Sequence, residues 1–317
     1  VSEPCHPQPA TELPEGRDRK LSELSRRLIT AAVLVPPVIY VIIVGGWLYL
    51  ATVVTFIVLG QREFYGLIQD KGAEPHVGLG LSAGVAVAVL SYFGQDYYAM
   101  VLMTALLLVL MVAQLRKAVI HDALASISGT FFGVFYVAWL LSHLLVLRYF
   151  YEALLARHSL AEVRALGLVP DSGIFLVLYV MMVVVWCDAG AYFAGRRWGR
   201  RKLAPRISPG KSVEGALGGV AAGTLAAAGM KAGCDFFFPS LSAGLPWAWV
   251  LAFGVVLSVM GIIGDLVESL LKRDAQVKDA GRLLPGMGGV LDRIDASLIA
   301  VPVMYYMLLV GFAIRIG

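Results

Sequence analysis

Charge is what this chain has least of. Asp, Glu, Lys and Arg make up 15% of its 317 residues, against about 25% in an ordinary soluble domain, which excludes a water-solvated globular fold. Cysteine is scarce too: Cys5, Cys187 and Cys234 are odd in number, far apart and without CxxC spacing. That excludes a disulfide framework or zinc site and leaves free thiols in the membrane. None of the five histidines lies three or four residues from another, so no histidine metal site forms on a helix face. No internal repeat is visible, which argues against an inverted-repeat transporter. A P-loop is excluded as well, because Gly210-Lys211-Ser212 needs a glycine where Pro205 stands and a preceding strand that the pattern does not offer.

What the chain does have is apolar length, with 59% hydrophobic residues and a mean hydropathy of +0.77. Runs able to cross a bilayer fall at 29–44, 47–60, 77–93, 99–115, 127–147, 174–194, 216–233, 247–271 and 296–314. They predict an all-α polytopic membrane helix bundle with about nine transmembrane helices. The first two runs are short and separated only by Gly45-Gly46, so they read as a tight hairpin or a partly inserted pair. Polar residues 1–28 read as a disordered cytoplasmic tail, too long a lead for a signal peptide. Residues 149–173 read as an outer loop with a short amphipathic helix. Of the 26 Lys and Arg, only Arg148, Arg157, Arg164, Lys231 and Arg315 fall outside one alternating set of connections. The positive-inside rule then places the N-terminus and every motif below on the cytoplasmic side.

Those motifs begin at 264–296, which holds five Asp, one Glu and five Lys or Arg at the edge of an apolar span. Each ionised group at membrane depth costs about 2.5–3.5 kcal/mol on insertion scales, so such a cluster points to function. On a helix, Asp265, Glu268, Ser269 and Lys272 share one face. Two carboxylates with a cation one turn on can hold a divalent ion and offer a charge to phosphate; an internal Glu268–Lys272 salt bridge is the structural alternative. The next segment supplies Gly286, Gly288 and Gly289, which let backbone N–H groups approach phosphates, then Asp292, Arg293 and Asp295. Asp295 also reads as a helix N-cap, which leaves Asp292 and Arg293 to be explained.

A third piece spans 186–215. Asp188 lies in an apolar run beside Gly190, Ala191, Ala194 and Gly195, a small-residue face against which another helix can pack closely. Such an Asp needs a Lys, Arg or metal partner. Ser208, Lys211, Ser212 and Glu214 follow in what reads as a Pro/Gly loop, and the basic run 196–202 suits anchoring to anionic lipid as well as catalysis. Glu63 and Asp70 read as solvated charges, the aromatic stretch 131–139 as lipid- or helix-facing surface, and His121 and His143 as structural.

Together these residues resemble the signature of the integral-membrane phosphatidate cytidylyltransferases, or CDP-diacylglycerol synthases: Ser-x-x-Lys-Arg, Lys-Asp, Pro-Gly-His-Gly-Gly and Asp-Arg-x-Asp. Ser269, Lys272, Arg273, Lys278, Asp279, Pro285, Gly286, Gly288, Gly289, Asp292, Arg293 and Asp295 match in order and spacing. DAGAYFAGR and SPGKSVEG are similar to companion motifs. The likeness is close from Asp188 onward and confined to span pattern before it. Met287 stands where the family usually has His; a thioether is no general base, so that His is dispensable if this chain is active.

The resemblance implies CTP and phosphatidate as substrates, CDP-diacylglycerol and pyrophosphate as products, Mg²⁺ as cofactor, membrane lipids and a homodimeric partner, and no nucleic acid. A bacterial inner-membrane location is expected, with the active site facing the cytoplasm by the charge asymmetry, and the spans and motifs divide the chain into 29–173, an N-terminal transmembrane region, and 174–317, a catalytic transmembrane region. Asp265 and Asp292 become first metal ligands, with Asp188, Glu268 and Asp295 as further candidates. Lys272, Arg273, Lys278 and Arg293 would neutralise phosphates, with Asp279 and Asp295 also in the catalytic set. Ser208, Lys211, Ser212, Glu214, Ser269, Gly288 and Gly289 would hold substrate. Another CTP-dependent lipid enzyme, polyprenol kinase-like, and an ion-coupled transporter are the rival readings.

Overall fold

In hydrocarbon the backbone must satisfy its own hydrogen bonds, so long apolar sequence becomes long helix. The computed structural model describes residues 35–117, 122–281 and 288–316. The tail 1–28, Cys5, His121 and Pro285, Gly286 and Met287 lie outside the described residues. The chain divides into a unit Val1–Tyr40, of which the described part opens one helix, and a unit Val41–Gly317 that holds every other described element.

In chain order the elements are α1 (Val35–Val44), α2 (Gly46–Asp70), α3 (Val77–Tyr92), α4 (Asp96–Leu115) and α5 (Ala123–Arg148). The short α6 (Phe150–Leu155) and α7 (Leu160–Ala165) follow, then α8 (Ser172–Trp198), β1 (Lys202–Ala204) and β2 (Ser208–Ser212). The chain continues through α9 (Val213–Phe237), α10 (Pro239–Ser242), α11 (Trp247–Asp274) and α12 (Leu291–Ile316). Seven of these helices are long and apolar enough to cross a membrane, and α1 and α3 are shorter apolar helices. The protein is therefore a predominantly helical, polytopic bundle. One correction applies: 202–212, read as a loop with no strand, forms an antiparallel β1–β2 hairpin that contains Gly210-Lys211-Ser212.

The break between α1 and α2 has a specific cause. Gly45 and Gly46 both take positive φ, 65° and 59°, a region open to glycine at no steric cost. The Gly46 N–H donates to the Tyr149 hydroxyl at 2.6 Å. Buried Arg148 donates from Nε to the Ile42 carbonyl at 2.8 Å and from Nη2 to the Ile43 carbonyl at 3.3 Å. It thereby satisfies carbonyls that the end of α1 leaves unpaired.

Small residues set the helix spacing. Gly215, Gly219 and Gly223 of α9 face α8; a Cβ on Gly219 would lie 2.8 Å from the Cys187 carbonyl oxygen and 3.0 Å from the Ala191 Cβ. The small-residue face predicted around Gly190 is thus an interhelical contact. At one end of the bundle lie the ends of α2, α8 and α11 and the starts of α9 and α12, tied by a Lys71–Asp274 ion pair and the contacts described below. The opposite end is held by Arg148, by an Arg157–Asp96 pair at 3.0 Å, by the buried Lys231 paired to Asp235, and by Arg315 donating to the Gly244 carbonyl at 3.3 Å.

Replacing Arg148 with Ala removes a donor from the buried Ile42 carbonyl and another from that of Ile43, and is expected to cost about 1–3 kcal/mol of stability. Thermal unfolding in detergent reads this directly. Arg148→Lys should recover only part of the loss, because a single ammonium lacks the guanidinium fork that serves both carbonyls.

Candidate metal and phosphate site

Gly264 is where α11 and α12 come closest to the chemistry. A Cβ there would lie 2.6 Å from the Asp295 carbonyl oxygen and 3.1 Å from the Ala296 Cα, so only glycine lets the backbones pass. The crossing brings Asp265 and Glu268 of α11 against Asp295 of α12. One carboxylate oxygen from each lies within 4.8 Å of the other two.

The partners of these acids differ. Glu268 is fully buried, and its Oε2 lies 2.6 Å from the Lys272 Nζ. That contact is a buried ion pair, and the other oxygen, Oε1, is buried without a hydrogen-bond donor among the described residues. Lys272 also donates a hydrogen bond to Asp292 Oδ1, likewise at 2.6 Å. Asp265 Oδ2 lies 2.5 Å from the Lys211 Nζ of β2, and Ser269 Oγ approaches Asp265 Oδ1 at 3.4 Å. Asp295 Oδ1 accepts from the Ala296 N–H at 2.7 Å.

Asp292, one turn before Asp295, has a different setting. Besides Lys272 it accepts from the Gly289 N–H at 2.7 Å and the Ala280 N–H at 3.3 Å, so it ties the glycine turn to α12. Gly288 takes φ 82°, and a Cβ there would meet Asp292 Oδ2 at 2.7 Å. Asp188 stands on α8 within the field of the Asp265 carboxylate and of two cations, Lys211 and Arg293. Arg293, Lys278 and Asp279 are exposed. Arg273 donates over long distances, 3.4 Å each, to the Ile207 and Val277 carbonyls.

In the β-hairpin region, Ser212 caps α9 by accepting from the Gly215 N–H at 3.1 Å. The Glu214 carboxylate accepts from the Arg200 N–H at 3.0 Å and the Arg201 N–H at 3.1 Å. Both side chains shape the turn, leaving Lys211 as the residue that reaches the acids; Ser208 is half-buried at the start of β2.

Glu63 is not the solvated charge that its sequence setting suggests. Its Oε2 accepts from the Leu291 N–H at 2.7 Å, at the start of α12. A Cβ on Gly289 would crowd that carboxylate at 2.5 Å, and Glu63 Oε1 is buried with no hydrogen-bond partner among the described residues. The first half of the chain therefore supports the glycine turn. The paired glycines Gly281 and Gly289 were the available signal, since side chains there would occupy the space Glu63 uses.

The donor set suits a hard divalent cation. Three carboxylates converge from two helices, one of them fully buried, and oxygen-only sites of this kind hold Mg²⁺ or Ca²⁺ rather than thiophilic metals.

A sequence profile of the cytidylyltransferase family matches residues 25–310. The chain is 30% identical over 312 residues to the phosphatidate cytidylyltransferase of Synechocystis sp., covering 89% of this chain and 95% of that protein. It is 30% identical over 301 residues to the chloroplastic phosphatidate cytidylyltransferase 4 of Arabidopsis thaliana, covering 90% of this chain and 73% of that protein. To the phosphatidate cytidylyltransferase of Bacillus subtilis it is 40% identical over 151 residues, 48% of this chain and 52% of that protein.

Lys272 carries a testable demand of its own. Lys272→Met strands Glu268 and Asp292, whose side chains are 1% and 8% exposed, and is expected to cost about 3–5 kcal/mol. Adding Glu268→Gln should restore part of that in the same unfolding assay, because it removes one of the two stranded charges.

Proposed function

The chain belongs to the cytidylyltransferase family, and from that premise we propose that it makes CDP-diacylglycerol, transferring CMP from CTP to phosphatidate. The observation that carries this reading is the convergence of Asp265, Glu268 and Asp295 beside Lys211 and Lys272 at one end of the bundle.

An oxygen of the phosphatidate phosphate attacks the α-phosphorus of CTP. The new P–O bond forms as the bond from that phosphorus to the β-phosphate bridging oxygen breaks, and pyrophosphate leaves with the electron pair. No general base is needed, because the attacking phosphate is already ionised at neutral pH. The barrier is repulsion between two anions, and cations placed beforehand lower it. Lys211, Arg293 and Lys278 are the side chains we assign to the phosphates, with Arg273 at the edge. Lys272, engaged by Glu268 and Asp292, positions the acids. Asp265, Glu268 and Asp295 would hold Mg²⁺, with Asp188 and Asp292 beside them, and the ion would supply positive charge to the triphosphate.

We read the seven long and two shorter apolar helices as nine crossings with the N-terminus on the cytoplasmic side. The gathering of Lys and Arg at the site end supports this orientation, and with it an inner-membrane protein whose site faces the cytoplasm. The family resemblance supports a homodimer. Residues 174–317 form the catalytic region, to which 29–173 lends Glu63.

Purified protein given phosphatidate, Mg²⁺ and CTP labelled at the α-phosphate should place the label on the lipid; a polyprenol kinase-like enzyme would transfer label from the γ-phosphate instead. Chelation should abolish turnover and added Mg²⁺ restore it. Asp295→Asn should fold yet lose about 100-fold or more, the scale of several kcal/mol of charge stabilisation. Near-normal turnover would remove Asp295 from the metal site.

A further inference from the structure

Tyr136 is buried, and its hydroxyl has no hydrogen-bond partner among the described residues. Buried phenols ordinarily find one. Tyr136 sits in a π-helical turn, Val134–Trp139, inside α5, and such turns are frequent at functional sites.

The ring is held firmly. It stacks on Phe132 at 5.3 Å and meets Phe64 at 6.0 Å, and Phe64 follows Glu63, which grips the start of α12. The next residue of the turn, Val137, and Ile294 of α12 close on the same glycine: a Cβ on Gly60 would lie 3.1 Å from Val137 Cγ1 and 3.3 Å from Ile294 Cδ1. The π turn therefore lies against the helical turn that carries Asp292 and Asp295. The charges of Asp295, Glu268 and Asp265 all bear on the Tyr136 phenol, yet its hydroxyl bonds to none of them.

We infer that Tyr136 contacts substrate: its hydroxyl donates a hydrogen bond to a phosphate oxygen bound at the Asp265–Glu268–Asp295 cluster. This rests on the function proposed above. A neutral donor suits the place, because it stabilises an oxyanion without forming an ion pair with the surrounding carboxylates. A ring locked by Phe132 and Phe64 pays little entropy on binding. The bound oxygen comes from the lipid phosphate or from CTP; both offer the same acceptor.

The test is Tyr136→Phe in the full-length protein. Without substrate, removing an unpartnered hydroxyl while keeping the ring should leave the thermal midpoint unchanged or raised, whereas a structural hydroxyl would lower it. Turnover at limiting substrate should fall about 10- to 100-fold, the size of one hydrogen bond to a charged group. A raised KM for phosphatidate alone assigns the bond to the lipid, and one for CTP alone to the nucleotide. A lower kcat with both KM values unchanged assigns it to the transition state. Wild-type kinetics toward both substrates would overturn the inference, as would a loss of activity matched by a lowered midpoint. A wild-type enzyme that puts no CMP on lipid would instead overturn the proposed function.

Discussion

The bundle's last two long helices carry acids at the depth where they cross, and the ammonium of Lys272 between Glu268 and Asp292 makes that crossing tolerable. Carboxylates this close repel strongly where water is scarce. Lys272 offsets two of them and Lys211 a third. Asp265, Glu268, Asp292 and Asp295 set against two lysines leave two formal negative charges, a remainder that a divalent cation would match.

Geometry delivers those charges, and glycine delivers the geometry. Gly264 lets α12 pass close enough for Asp295 to join Asp265 and Glu268. The glycines of α9 do the same against α8, which brings Asp188 and the β1–β2 hairpin with Lys211 to that end. Gly288 and Gly289 admit the Asp292 and Glu63 carboxylates. Each removes a side chain so that a charged one from elsewhere can enter. Packing without a hydrophobic drive between helices favours such contacts in membranes.

Helical periodicity made part of this legible. Asp265, Glu268, Ser269 and Lys272 fall on one face by spacing alone, and the i,i+4 pair of Glu268 with Lys272 follows from it. Which of Asp292 and Asp295 turns toward Asp265 does not, because that depends on where two helices cross. Glu63 was opaque for a similar reason: its partner Leu291 is 228 residues away, and nothing in its own segment distinguishes it from a solvated acid. Strand β2 was hidden by Pro and Gly, which mark a turn but not what flanks it. Tyr136 disappeared into an aromatic stretch because a π turn shifts which residues face inward without changing composition.

The two ends of the molecule also separate the rival mechanisms. A transporter must expose its ion site to both sides in turn, and its helices break near mid-membrane to do so. Here the acids gather toward one end. The other end is closed by Arg148 on the carbonyls of α1, by Lys231 with Asp235, and by Arg315 on Gly244. A kinase acting on a lipid alcohol must also remove a proton from its acceptor, and three of the four acids here, Asp265, Glu268 and Asp292, are already paired with an ammonium. A phosphate acceptor has no proton to lose. A site rich in paired acids at one end of the bundle suits the joining of two phosphates.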